Sequence, residues 1–159
     1  MEIDKPITVA LLAMEQSSFC YKACFRCETP IPNTTPSPTF CNTCNGSPNP
    51  FKRLFRLLFS IATDTRVITV VCFDRDARVI FGCSAQQFFD FATQHPDAAK
   101  NANHALVGEL FRVVLTKPKR GKAEHLRMTS VVPLRTAFQP VIETLKELNQ
   151  VEQNGDKTA

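Results

Sequence analysis

The sequence predicts a mainly β domain in which five strands close into a small barrel, with a helix between the third and fourth strands and another at the C-terminus. Within residues 55–63, Leu57, Phe59 and Ile61 recur at every second position, which is the pattern of a half-buried strand. Near the C-terminus, apolar residues instead recur every three or four positions, as on one face of a helix. The order of these elements is that of an OB-fold, a five-stranded Greek-key barrel.

The individual elements follow from short-range signals along the chain. Five segments have the length and composition of strands: 7–14, 55–63, 66–73, 106–116 and 126–134. Asp74 is placed to cap a short helix that ends at Gly82, and Ser84 is placed to cap a second helical segment. Apolar spacing predicts the C-terminal helix over 138–151. We therefore expect one domain over 1–152 and a disordered tail over 153–159.

Composition and charge restrict the class of protein. The chain of 159 residues has a net charge of +4 and seven cysteines. It contains no apolar run of about 18 residues, so no membrane span is expected, and its acidic start does not resemble a signal peptide. We expect an intracellular protein. Because thiols stay reduced in that compartment, the cysteines need an explanation other than disulfides.

Four of the cysteines have the spacing of a metal site. Cys24 and Cys27 form one CxxC pair, and Cys41 and Cys44 form a second pair further along the chain. Two such pairs can complete a tetrahedral sulfur site for zinc. The segment 20–50 is rich in proline and poor in apolar residues, so metal binding would supply the free energy that orders it.

A zinc ion held by four thiolates has no open coordination position, so its role is expected to be structural. Cys20 could compete with Cys24 as a ligand, although a packing position at a strand end is the favoured interpretation. Cys72 and Cys83 are expected to be core or near-surface thiols. No P-loop, GxSxG motif or HxE motif of a zinc deaminase is present. The sequence therefore predicts a binding protein, not an enzyme, with no small-molecule substrate and no cofactor besides zinc.

Four segments resemble one known family, in the same order along the chain. They are FCYKAC at 19–24, FRLLFSIATD at 55–64, VVCFDRDARVIFG at 70–82 and NANHALVGELFRVVL at 101–115. With them, the chain resembles the C-terminal DNA-binding domain of the replication protein A large subunit, over residues 7–148. The resemblance implies a zinc ribbon inserted between the first two strands of an OB-fold that binds single-stranded DNA. It also implies assembly with smaller OB-fold subunits through the C-terminal helix, and a nuclear role in DNA replication, repair, recombination or telomere maintenance.

Three features depart from the family pattern. The first pair of cysteines, Cys24 and Cys27, is more compact than the spacing that the family often has. Thr69 stands where the family frequently has an aromatic residue. The upstream OB-folds of the large subunit are absent from this sequence. These departures favour a specialised paralogue, or a domain excised from a larger protein, over the general replication factor.

An OB-fold binds nucleic acid across its second and third strands, between the loops that join strands one to two and four to five. Alternation turns Arg56 outward on the second strand and Phe73 outward on the third, where Phe73 can stack on a base. The alternative for Phe73 is a packing role in a small apolar cluster. Cationic residues flank this surface: Lys52 and Arg53 after the ribbon, and Lys117, Lys119, Arg120, Lys122 and Arg127 around the last loop. The alternative interpretations of this loop are a solvated basic loop and a nuclear import signal in KPKR.

The apolar stripe of the C-terminal helix is longer than a small barrel can cover. Phe138 and Val141 are expected to close the barrel, whereas Leu145, Leu148 and Val151 are expected to face another chain. The alternative to DNA binding is therefore an assembly module that docks protein partners through this helix. Salt dependence would separate the two functions, because phosphate contacts weaken steeply as salt increases.

Overall fold

The structure is a computed structural model that describes residues 3–31, 51–118 and 125–157. Over these residues the chain is mainly β, and the helices are interspersed among the strands. In chain order the elements are β1 Pro6–Met14, β2 Cys20–Cys24, β3 Phe51–Ala62, β4 Val67–Phe73, α1 Asp74–Phe81, α2 Ala85–Gln94, α3 Ala98–Leu106, β5 Leu110–Thr116, β6 Leu126–Pro133 and α4 Val141–Lys157.

Five of the strands close into a ring. β1 pairs with both β3 and β5, β3 pairs with β4, and β5 pairs with β6, all of them antiparallel. β4 and β6 pair in parallel and complete the ring in the order β1-β3-β4-β6-β5. Each of these strands has a neighbour on both sides, so the ring leaves no open edge. The predicted mainly β class is confirmed, and the ring is compatible with the predicted OB-fold.

A further strand, β2, was not predicted. It pairs antiparallel with the first residues of β3, so that Cys20 lies opposite Phe55 and Cys24 lies opposite Phe51. The pairing of β3 with β4 starts only at Arg56. β2 and residues 51–55 therefore form a two-stranded ribbon that adjoins the ring. The predicted zinc ribbon continues into residues 32–50, which lie outside the described residues.

Three helices lie between β4 and β5, where the sequence predicts a short helix ending at Gly82, a second helical segment capped by Ser84 and a further turn at 98–105. α1 has the predicted bounds, and Gly82 ends it in a left-handed conformation with φ 72°. The side chain of Ser84 accepts a hydrogen bond from the backbone of Gln87, and the side chain of Gln87 bonds back to the backbone of Ser84. This capping box confirms the predicted cap of α2. α3 continues to Leu106, so β5 begins at Leu110, later than predicted.

The predicted cap at Asp74 is wrong. Phe73 occupies the N-cap position of α1, and no side chain caps that end of the helix. The Asp74 carboxylate instead accepts a hydrogen bond from the backbone N–H of Phe55 at 3.0 Å and another from Nε of Arg78 at 2.9 Å. Asp74 therefore ties the start of α1 to β3 and helps to fix the direction in which the chain leaves β4.

Phenylalanines from β3, α1 and α2 pack together in the core. The ring centroids of Phe55 and Phe81 are 4.9 Å apart, and those of Phe81 and Phe88 are also 4.9 Å apart. All three side chains are fully buried. Arg56, the next residue in β3, points to the opposite, exposed face. This packing holds the segment of β3 around Arg56 in a fixed position, with the Arg56 side chain exposed to solvent.

The C-terminal helix packs against the domain more closely than predicted. α4 begins at Val141 rather than at 138 and continues to Lys157, into residues predicted as a tail. Leu145 is only 2% exposed and belongs to the core, so the prediction that it faces another chain is wrong. The physical reason is that α3 also packs against α4 and adds surface that covers the stripe.

The apolar stripe of α4 becomes exposed to solvent about one turn after Leu145. Leu148 is 43% exposed, and the side chain of Val151 lies outside the described part of the chain. Phe138 packs beside the barrel with its ring centroid 5.5 Å from that of Phe111. Within the residues that the structure describes, no helix combines the length and the hydropathy that a membrane crossing requires.

Candidate nucleic-acid interface

The two faces of β3 differ in the way that the sequence alternation predicts. Leu57, Phe59 and Ile61 are fully buried on the inner face. Arg56 is exposed on the outer face. In the antiparallel register, Arg56 lies directly opposite Phe73 of β4, so the two side chains are neighbours on this outer face. The predicted outward orientation of both residues is confirmed.

Arg127 joins this pair from β6. Its guanidinium carbon lies 4.8 Å from the centre of the Phe73 ring, which is a cation–π contact. The Nε atom of Arg127 is buried and has no hydrogen-bond partner among the described residues. The structure therefore brings together Arg56, Phe73 and Arg127, in the order cation, aromatic ring, cation across three strands.

A depression of about 440 Å³ lies beside this group, where β4 passes into α1. Its lining comes from β4, α1, β5 and β6 and from the start of the loop after β5. The lining residues include Phe73, Arg75, Asp76, Lys117, Arg127 and Ser130. Lys117 thus lies beside Phe73 and Arg127, at the edge of the candidate surface. The other predicted loop cations, Lys119, Arg120 and Lys122, lie outside the described residues.

The two cations at the start of β3 point in different directions. Lys52 shares the parity of Arg56 and forms an ion pair with Glu28 at 2.7 Å, which partly neutralises its charge. Arg53 shares the parity of the core-facing residues, and its guanidinium stacks 3.6 Å from the centre of the Phe89 ring on α2. The structure does not bring Arg53 to the outer face, because an odd-numbered position of β3 faces the helices.

Tyr21 is a site residue that the sequence interpretation missed. It lies in β2 opposite Leu54 of β3, and so on the same outer face as Arg56. Burial is the main cause that raises the pKa of Tyr21, and the nearby carboxylates of Asp74 and Glu28 raise it further. Its phenol therefore stays neutral, and its half-buried ring offers a second flat surface. Its signal in the sequence is weak, because Tyr21 lies next to the cysteine motif.

The first pair of predicted zinc ligands lies at the end of the ribbon. Cys24 is buried at the end of β2, and its carbonyl accepts a hydrogen bond from the backbone N–H of Glu28 at 2.9 Å. Cys27 lies in this turn, with its Sγ 3.0 Å from Oγ1 of Thr29. Two thiols on one tight turn have the chemistry that a zinc knuckle requires. Cys41 and Cys44 lie outside the described residues, and the described part alone holds no cluster of three potential ligands.

The remaining cysteines lie where packing accounts for them. Cys20 is half-buried against the core, and burial raises the pKa of its thiol, while the nearby Arg53 lowers it. Cys72 is buried within β4, and Cys83 is half-buried, with burial raising the pKa of its thiol to about 11. This agrees with the packing interpretation of all three residues.

The closed ring of five strands is compatible with an OB-fold domain. A profile of the replication factor-A C terminal domain matches residues 6–134, and the chain belongs to that family. The replication protein A 70 kDa DNA-binding subunit of Tetrahymena thermophila is 28% identical over 156 residues. The match covers 96% of this chain and 23% of that relative, so the chain spans under a quarter of its length.

Two solved structures have a similar fold. A chain of a replication protein A heterotrimer bound to single-stranded DNA matches with a TM-score of 0.62 and 16% identity, covering 93% of this chain and 35% of the other. A chain of yeast replication protein A bound to single-stranded DNA matches with a TM-score of 0.62 and 17% identity, covering 95% of this chain and 88% of the other. At these identities, the likeness establishes the fold alone.

Proposed function

We propose that this domain binds single-stranded DNA across the outer face of β3, β4 and β6. One observation carries the proposal: Arg56 stands opposite Phe73, and the guanidinium of Arg127 covers the Phe73 ring at 4.8 Å. Binding of a single strand requires cations for the phosphates and flat side chains for the bases, and this face has both. The two solved structures of similar fold, each bound to single-stranded DNA, support the proposal.

The roles of the individual side chains follow from their positions. Arg56 and Lys117 are exposed cations and are proposed to contact phosphates. Phe73 and Tyr21 are half-buried rings on the outer face and are proposed to stack on bases. The loop cations Lys119, Arg120 and Lys122 are proposed to add phosphate contacts. Lys52 is proposed to contribute less, because Glu28 pairs with it.

The cellular role proposed here is in DNA replication or in a related process that exposes single strands, such as repair, recombination or telomere maintenance. The family and the Tetrahymena relative support a replication-type role, and a nuclear location is proposed with that role. A binding role without catalysis fits the site, because aromatic rings and cations are prominent among the described residues that form it. Neither the rings nor the cations form a nucleophile with an adjacent base.

Titration of a labelled oligonucleotide at several salt concentrations tests the proposed function. Phe73→Ala is expected to weaken binding by about 1–3 kcal/mol with little change in the salt slope, because stacking releases few counterions. Arg56→Ala is expected to weaken binding and to reduce the slope of log K against log salt by about 0.7. Arg112→Ala removes the same charge from an exposed position of β5 and should change neither quantity. If Arg112→Ala weakens binding and reduces the salt slope as much as Arg56→Ala does, the outer face of β3, β4 and β6 is not the binding site.

We propose further that Cys24, Cys27, Cys41 and Cys44 hold one structural zinc ion. The turn after β2, closed by the bond from Glu28 to Cys24, supports the first half of this site. The bound ion would supply the free energy that orders a segment with little apolar core of its own. Elemental analysis should find one zinc per chain, and the Cys41→Ser/Cys44→Ser variant should lose it. Full zinc content in that variant would refute the assignment.

Assembly with other subunits is a second proposed function, and the exposed end of α4 supports it. Leu148 is 43% exposed on a helix whose preceding turn is buried against the domain. One of the solved structures of similar fold is a heterotrimer. The proposed docking surface includes Leu148 and Val151, without Leu145. Binding through such an apolar surface should respond little to salt, in contrast to DNA binding.

A further inference from the structure

The depression beside Phe73 contains a carboxylate that phosphate binding does not explain. Asp76 lines it from the first turn of α1. Its Oδ1 accepts a hydrogen bond from the backbone N–H of Ser130 at 3.0 Å, which anchors the carboxylate to β6. The backbone of Ser130 is left-handed at this point of β6, with a φ of 52°. The position of Asp76 is thus fixed by two elements that are far apart in sequence.

Asp76 shares the depression with the cations Arg75, Lys117 and Arg127. None of the ion pairs among the described residues includes it. A carboxylate next to a DNA backbone repels phosphates, so a surface made only for phosphates would not place one there. On nucleobases, carboxylates accept hydrogen bonds from amino groups, as Asp and Glu do from N4 of cytosine.

The other wall of the depression suits the face of a base. Phe73 and the guanidinium of Arg127 form a stacked pair there, and both have flat surfaces. The volume of about 440 Å³ lies within the range of small-ligand pockets, roughly 300–1,000 Å³.

We propose that this depression is a base-reading subsite for one nucleobase that carries an exocyclic amino group. The base stacks against Phe73 and Arg127, and its amino group donates a hydrogen bond to Asp76. Cytosine is the simplest such base. Uracil and thymine have a carbonyl oxygen at the same ring position, and its lone pairs face the carboxylate unfavourably. This inference rests on the proposed binding of single-stranded DNA and adds a base preference to it.

The test compares oligodeoxycytidine with oligodeoxyuridine of the same length, at mildly alkaline pH so that cytosine stays unprotonated. The two have the same backbone and ring size, and they lack the thymine methyl group. The wild-type protein is expected to bind the cytosine strand about tenfold more tightly, which is typical of one good base contact. Asp76→Asn keeps the acceptor for Ser130 but places an amide donor in the depression. In this variant the preference is expected to disappear or to reverse in favour of uracil.

The controls separate base reading from charge and from folding. Asp97→Asn removes the same charge from an exposed position whose side chain caps nothing, and should leave the cytosine preference unchanged. A strand of N4,N4-dimethylcytosine, which lacks both amino hydrogens, should lose the advantage with the wild-type protein even if Asp76→Asn fails to fold. Equal binding of cytosine and uracil strands by the wild type, or a preference that survives Asp76→Asn, would overturn the subsite. If the wild type binds neither strand, the proposed function itself fails.

Discussion

Gly82 sets the junction between α1 and α4, and its replacement by alanine has a cost that can be worked out from the structure. Its φ of 72° is in the left-handed region, where a side chain costs about 1–2 kcal/mol. An added Cβ would lie 2.5 Å from Cβ of Pro140 and 3.2 Å from its Cγ, closer than van der Waals contact allows. Such overpacking adds about 1–3 kcal/mol. Gly82→Ala is therefore expected to lower the free energy of unfolding by about 2–5 kcal/mol.

Gly108 is a matched control for this substitution. It has a φ of 86°, but an added Cβ would meet no atom within 4 Å. Gly108→Ala is therefore expected to cost only the backbone term of about 1–2 kcal/mol. Urea denaturation followed by circular dichroism gives both values from the shift in midpoint at unchanged slope. If Gly108→Ala costs as much as Gly82→Ala, the contact with Pro140 is not what makes Gly82 necessary.

Two further predictions concern α4 and the ribbon. Leu145→Glu places a charge in the core and should cost at least about 3 kcal/mol in urea denaturation, whereas Leu148→Glu should cost no more than about 0.5 kcal/mol. Similar costs would show that both leucines are in the same environment. Glu28→Gln releases Lys52 from its ion pair and should steepen the salt slope of DNA binding by up to about 0.7. An unchanged slope in the titration would mean that Lys52 does not reach the DNA.

Local patterns in the sequence were sufficient for most of the elements, although not for β2, and for the two faces of β3. The bounds of α1 and the cap at Ser84 follow from side chains within a few residues of one another. The outward positions of Arg56 and Phe73 follow from alternation, because successive side chains of a strand point to opposite faces. The same reasoning failed at Asp74, where a bond to the backbone of Phe55 in β3 replaced the expected local cap.

The arrangement of the interface depended on contacts between distant parts of the chain. Periodicity shows which face of an element is apolar, but it does not show which neighbour covers that face. For this reason the burial of Leu145, the ion pair of Lys52 and the turn of Arg53 toward Phe89 were not foreseen.

The sequence by itself determined that this is a mainly β chain of the replication factor-A family type, with paired cysteines and an outward Arg56 and Phe73. The tertiary structure alone decided that β2 extends the sheet, which places Tyr21 beside the predicted site. It also decided that Asp76 and Ser130, which are 54 residues apart, meet at the same depression. The physical reason is that strand pairing and ring closure set these distances, and both depend on the whole chain.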